Sequence, residues 1–191
     1  MTAASGIVHE ELHEKEWAKR GGTLQAIQLW VNLPKSSKMS SPGYQTIVND
    51  QIPVVQLGGG AGSLRVIAGS VGGAKGPAKT FTPIELYDLR LRAGHSMPLQ
   101  IPNGYHVGLL VLSGRASVEA SHRLSEAELA VFDSTGEPVT IVAEEDSTIL
   151  VMAGEAIDEP VARYGPFVMN TKAELVQAVN DYQAGKMGHL S

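Results

Sequence analysis

The chain has 191 residues, of which 43% are hydrophobic and 18% charged, and its formal net charge is −5. This length allows a buried core, while the acidic balance and the lack of dense Lys/Arg blocks argue against direct nucleic-acid binding. There is no cysteine, which excludes disulfides, and the apolar runs are too short to span a bilayer, so we predict a cytoplasmic protein with no membrane segment.

Gly, Pro and β-branched residues recur at short intervals along the chain, which predicts a fold dominated by β-strands. The predicted strands are 24–31, 64–69, 84–92, 105–113, 116–120, 128–133, 138–143 and 148–153. Their spacing is typical of a β-sandwich or β-barrel. In the strand at 84–92, strict alternation places Glu85, Tyr87, Leu89 and Leu91 on one face, which is the more apolar of the two.

One helix is predicted near the end of the chain, over residues 172–184. Asn170 or Thr171 can cap its start, and Gly185 can end it. Within it, Leu175, Val176 and Val179 form an apolar stripe that we expect to pack on a sheet.

The glycine-rich run L-G-G-G-A-G-S at residues 57–63 predicts a linker, so we place a domain boundary near residue 55. Residues 56–191 then contain enough strands for a small barrel, followed by the terminal helix. Residues 1–55 contain too few strands to bury a core. We therefore expect an incomplete domain at 1–55 and self-association through it, because unpaired apolar strands seek partners.

The segment H-E-E-L-H at residues 9–13 matches the zinc-binding motif in which a helix supplies two histidines and a glutamate activates water. On an extended chain, His9 and Glu11 would instead face the same side and could bind a metal of mixed imidazole and carboxylate preference. A third interpretation is a solvated surface turn, which the spacing alone favours.

Four segments together resemble the pirin family of the cupin superfamily, and they follow the family's order over nearly the whole chain. They are G-I-V-H-E-E at 6–11, L-W-V-N-L-P at 29–34, K-G-P-A-K-T-F-T-P at 75–83, and G-E-A-I-D-E-P-V-A-R-Y-G-P-F-V-M-N at 154–170. The resemblance implies a bicupin, with two jelly-roll-like β-barrels in one chain and a metal, usually iron, in the first barrel.

The resemblance also implies a ligand set that this sequence holds only in part. His9 and Glu11 match the family's His-x-Glu ligand pair, but no His-x-His pair occurs in the sequence. The chain therefore resembles a bicupin with a truncated first barrel, which implies weak iron binding. The corresponding positions of the second barrel, Val107 and residues 99–103 and 138–143, hold no histidine or glutamate, so we expect no metal there.

Two functions are implied by the resemblance. One is a mononuclear-iron dioxygenase of the quercetin 2,3-dioxygenase type, acting on a flavonol, in which Glu11 is a candidate catalytic residue that relays a proton. The other is a redox-sensing transcriptional co-regulator, in which the oxidation state of ferrous or ferric iron changes the affinity for a partner protein. In this chain the dioxygenase activity is expected to be impaired.

Overall fold

A computed structural model describes residues 1–190 of the chain. The chain divides into two compact units, one of residues 45–156 and one in which residues 1–44 join residues 157 onward. Strands dominate and one longer helix follows them near the end, which confirms the predicted β-rich fold class. No helix within residues 1–190 is long and apolar enough to cross a membrane.

The 45–156 unit is built from twelve strands, and all of their pairings are antiparallel. They are β1 (Val54–Leu57), β2 (Gly62–Ala68), β3 (Ser70–Val71), β4 (Ala74–Lys75), β5 (Ile84–Leu91), β6 (Ser96–Leu99), β7 (Tyr105–Ser113), β8 (Arg115–Val118), β9 (His122–Ser125), β10 (Leu129–Asp133), β11 (Val139–Ala143) and β12 (Ser147–Glu155). One sheet has the order β1-β2-β5-β12-β7-β10, a second has the order β6-β11-β8-β9, and β3 pairs with β4.

The core of this unit is formed by side chains that alternate along the strands of both larger sheets. On β5, Tyr87, Leu89 and Leu91 are at most 2% exposed, whereas the intervening Asp88 and Arg90 are not buried. This confirms the face predicted from the alternation. Leu64 of β2 and Ile149 of β12 lie opposite Leu89 in the register and are equally buried.

Every strand predicted from residue 64 onward is present, with ends shifted by a few residues. The predicted strand at 24–31 is wrong, because these residues are exposed and have no regular secondary structure. β6 escaped prediction since it contains Pro98, which lacks a backbone donor. It lies at the edge of its sheet, where proline is tolerated.

The glycine run at 57–63 is a hairpin turn and not a linker. Gly58–Gly60 form a single 3-10 turn between β1 and β2, which pair directly. The division at residues 44 and 45 therefore precedes the predicted boundary near residue 55, because β1 needs β2 as its hydrogen-bonding partner. The terminal helix also groups with residues 1–44 and not with the barrel of the other unit.

The unit that contains both chain ends has α1 (Lys15–Arg20), the hairpin of β13 (Ala162–Tyr164) and β14 (Phe167–Met169), and α2 (Lys172–Gln183). Thr171 caps α2 with its hydroxyl, and the Glu174 side chain accepts the Thr171 N–H in return. Gly185 follows with a φ of +74°, as predicted for the helix end.

The apolar stripe predicted for α2 is only partly correct. The helix packs against β13 and β14 through Leu175 and Ala178, which are both buried. Val176 is 61% exposed, since it lies about 100° around the helix from Leu175, away from the hairpin.

Buried polar contacts hold residues 32–38 to the β13–β14 region. Lys38 is 4% exposed as a residue, and its ammonium donates to the Asn32 side chain at 2.6 Å and to the Val168 carbonyl at 3.2 Å. Burial lowers the pKa of Lys38, while Glu159 and Glu174 nearby oppose this change. Glu159 also accepts the backbone N–H of Lys35 at 2.7 Å, so the loop before β13 fixes this segment.

Candidate metal centre

The chain leading to the candidate ligands is anchored by backbone contacts. Thr2 and Gly43 exchange two backbone hydrogen bonds, and the Val8 N–H donates to the Met187 carbonyl at 2.9 Å. Gly6 has a φ of +117°, and a Cβ at that position would lie 2.5 Å from the Met187 side chain. Only glycine allows this close approach. His9 therefore follows directly after an anchored segment.

His9 and Glu11 lie in a stretch without regular secondary structure. Residues 6–14 contain no assigned helix or strand, and both side chains are exposed. The helix required by the zinc-protease interpretation is absent at His9 to His13, and α1 begins only at Lys15. Among the described residues, no strand pairs with this segment, so any extended conformation here lies outside a sheet.

Among residues 1–190, one side chain, Gln28, forms a hydrogen bond with the Glu11 carboxylate. The Gln28 amide donates to it, with Nε2 lying 3.1 Å from Oε1 and 3.3 Å from Oε2. Gln28 belongs to the exposed segment 24–31, so this contact holds two irregular segments together at one point. The sequence carried no signal for Gln28, since a contact between residues 17 apart without regular structure depends on the tertiary arrangement.

The other charged residues of the H-E-E-L-H region have local structural roles. The His13 ring lies 5.1 Å from the Trp17 ring. The Glu14 carboxylate caps α1 by accepting the backbone N–H groups of Glu16 and Trp17, and these bonds lower the Glu14 pKa. Within the described part of the chain, neither His9 nor His13 belongs to a cluster of three metal-binding side chains, which a zinc site of this kind would need.

The donor types fit a first-row transition metal, but their number does not. An imidazole and a carboxylate are suitable ligands for iron and its neighbours. Within residues 1–190, however, no three His, Asp or Glu side chains come close enough together to bind one ion. His9 and Glu11 thus make up at most part of a coordination sphere.

Comparisons with known proteins place this geometry in context. The family model described as the pirin C-terminal cupin domain matches residues 86–188. A Pseudomonas aeruginosa protein named as a candidate quercetin 2,3-dioxygenase is 44% identical over 186 residues, and a pirin-like protein of Caulobacter vibrioides is 38% identical over 188. Each alignment covers 97% of this chain.

A crystal structure of quercetin 2,3-dioxygenase from Acinetobacter baumannii is similar as well. It matches with a TM-score of 0.81 at 41% identity, over 85% of this chain and 56% of the other. The chain spans 65% of the length of the P. aeruginosa relative and 66% of that of the C. vibrioides relative.

Proposed function

Because this chain belongs to the pirin family of cupin proteins, we propose that it carries part of the metal site of a dioxygenase that opens the ring of a flavonol such as quercetin. The observation that supports this most directly is the Glu11 carboxylate held by Gln28, two residues after His9, at the end of an anchored segment. The similarity to proteins named quercetin 2,3-dioxygenase supports the choice of substrate class.

In this proposal each residue has a distinct role. His9 and Glu11 would hold iron, and the Gln28 amide would orient the Glu11 carboxylate, as hydrogen-bonding partners of metal ligands commonly do. When bound, iron supplies a redox-active Lewis-acid centre. An oxygen of the Glu11 carboxylate also accepts the proton of the flavonol hydroxyl.

The chain of 191 residues should bind iron weakly by itself. Two exposed ligands leave most of the coordination sphere to water, and the energy of binding depends on the number and geometry of protein ligands. We therefore propose that the activity of this chain is impaired, and that a longer chain, in which a His-x-His segment precedes residue 1, binds iron tightly.

The test measures ferrous iron affinity and quercetin consumption under controlled oxygen in this longer chain. His9→Ala and Glu11→Ala should each abolish tight binding and turnover. Gln28→Leu should weaken binding about 10–100-fold, as for other residues that orient ligands. Glu10→Ala is the control for Glu11→Ala, and His13→Ala is the control for His9→Ala, since each replaces the same residue type at a nearby position. Both controls should change iron affinity and turnover little. Metal loss in His13→Ala equal to that in His9→Ala would refute the ligand assignment.

A second function, iron-dependent binding of a regulatory protein, is supported by a separate observation. Residues 24–31 are all exposed, and Leu24, Ile27, Leu29, Trp30 and Val31 are each at least 44% exposed. Several exposed apolar residues within one short segment are a feature of interaction surfaces. A ferrous-to-ferric difference in partner affinity without quercetin turnover would favour this function over catalysis.

A further inference from the structure

A polar groove lies at one end of the six-stranded sheet in the 45–156 unit, formed only by residues of that unit. It has a volume of about 510 Å³. The turn of the β1–β2 hairpin, the end of β5 and the start of β12 line it. None of the candidate metal ligands belongs to this lining.

The lining includes a continuous row of polar side chains that crosses five neighbouring strands. In the register of the sheet, Gln56 lies opposite Ser63, Ser63 opposite Arg90, Arg90 opposite Thr148, and Thr148 opposite Ser113. Side chains directly opposite one another on antiparallel strands are near neighbours. The row therefore presents an amide, three hydroxyls and a guanidinium to one groove, although the same strands contribute apolar residues to the core.

The guanidinium of Arg90 is only loosely neutralised. The carboxylate of Asp88 lies 2.9 Å from Arg65 but 3.8 Å from Arg90, so Arg65 is its main partner. The Arg90 side chain is 63% exposed. Its hydrogen-bond donors are thus available to a ligand in the groove.

Arg92 adds a second positive charge to the lining. Among residues 1–190, no carboxylate lies within 4.0 Å of its guanidinium nitrogens. Gly60, with a φ of +72°, faces it, and a Cβ there would lie 3.9 Å from Arg92 Nη1. Asp146 is the one acidic residue of the lining, and its carboxylate accepts the Ala93 N–H at 2.8 Å. The two arginines and one aspartate leave the groove with a net positive charge.

We propose that this groove binds the oxyanion group, phosphate or carboxylate, of a small molecule. Guanidinium groups recognise both oxyanions through paired N–H donors, and neighbouring hydroxyls add hydrogen bonds to the remaining oxygens. Arg90 and Arg92 carry the charge recognition, and Ser63 and Thr148 contact the same oxyanion from β2 and β12, the two strands that flank β5. The site is independent of the proposed iron chemistry, since it uses different residues.

Isothermal titration of the 191-residue chain with inorganic phosphate and with malonate, at constant ionic strength, tests the proposal. Arg90→Gln and Arg92→Gln should each weaken binding by about tenfold or more, because each removes a charge-assisted hydrogen bond. Asp146→Asn should tighten it. Arg123→Gln is the matched control, since Arg123 is exposed, lies on β9 and pairs with Glu144 outside the groove.

The two titrants also distinguish the chemical source of the oxyanion. Tighter binding of phosphate identifies a phosphate ester as the ligand class, and tighter binding of malonate identifies a carboxylate. Both arginines are exposed at the surface, so their variants should retain the wild-type unfolding midpoint, which circular dichroism checks. Binding of neither anion, or equal weakening in Arg90→Gln and Arg123→Gln, would overturn the proposal.

Discussion

Replacing Tyr87 with phenylalanine should destabilise the 45–156 unit, because its hydroxyl is buried and bonded to a charged group. Tyr87 lies on β5 and is 1% exposed. Its hydroxyl donates to the Glu85 carboxylate and also lies 3.3 Å from the Ser70 carbonyl oxygen. The Ser70 N–H donates to the same Glu85 oxygen at 3.0 Å, so the carboxylate holds the β5 side chain and the start of β3 together.

The expected loss of stability follows from the type of hydrogen bond that is removed, which joins the Tyr87 hydroxyl to the Glu85 carboxylate. A hydrogen bond to a charged group contributes about 1.5–3 kcal/mol. Phenylalanine keeps the aromatic ring and leaves no sizeable cavity, and Glu85 keeps its hydrogen bond from the Ser70 N–H. We therefore expect the free energy of unfolding to fall by about 1.5–3 kcal/mol at neutral pH, a sizeable part of the roughly 5–15 kcal/mol of a typical domain.

The same contacts predict a dependence on alkaline pH. Burial raises the pKa of Tyr87 well above its ordinary value, and the hydrogen bond to Glu85 raises it further. Above pH ~10 the tyrosine of the unfolded chain ionises while the folded one stays protonated. The unfolded state then binds fewer protons, so stability falls as pH rises, by at most about 1.4 kcal/mol per pH unit for this group. Tyr87→Phe should lose this component.

Urea unfolding followed by circular dichroism, between pH 7 and 11, measures both effects. Tyr164→Phe is the control, because Tyr164 is 69% exposed. It should match the wild type at neutral pH and retain the alkaline decline. If Tyr87→Phe were as stable as the wild type and declined equally above pH 10, the hydroxyl–carboxylate contact would not hold β5 to β3 as described.

Three further predictions concern the N-terminal part of the chain. Gly6→Ala should loosen residues 2–8, because its Cβ would meet the Met187 side chain and the backbone φ of +117° is strained for alanine. Faster hydrogen exchange in residues 2–8 would show this. Adding Met187→Ala should remove the steric clash but not the backbone strain, so it should restore exchange protection only in part. Limited proteolysis should cut within residues 9–31 before it cuts within 64–153, and early cleavage in the latter range would contradict the assignment of the core. Light scattering should show a dimer or larger assembly that Trp30→Glu weakens, whereas a monomer at high concentration would exclude self-association through residues 1–55.

The predictable parts of this fold are those that local physics decides. The alternation along β5 determined which face became the core, and the side chain of Thr171 together with Gly185 determined where α2 begins and ends. The segment 24–31 shows the limit of such reasoning. Its apolar residues have the composition of a strand, but a strand forms only where a neighbour pairs with it, and no strand within residues 1–190 pairs with this segment.

The same distinction between local and tertiary causes applies to the candidate sites. His9 and Glu11 could be identified from the sequence through the family resemblance, whereas Gln28 could not, because its contact with Glu11 is tertiary. The groove could not be predicted from the sequence either, because the residues of its polar row come from five strands and are spread along the chain from Gln56 to Thr148. Only the register of the finished sheet places these side chains next to one another.

The position of the ligand pair explains why the proposed site depends on further ligands. Residues 2–8 are held by backbone bonds, and residues 32–38 by hydrogen bonds of the Lys38 ammonium. Between them, residues 9–31 contain the short helix α1 but no strand, and the Glu11 carboxylate accepts a hydrogen bond from the Gln28 amide. Because the His9 and Glu11 side chains are exposed, a metal that binds them would have to immobilise both, and this loss of side-chain entropy opposes tight binding. Additional protein ligands raise the affinity in two ways. Each adds its own bond to the metal, and the entropy lost on fixing His9 and Glu11 is then offset by more bonds.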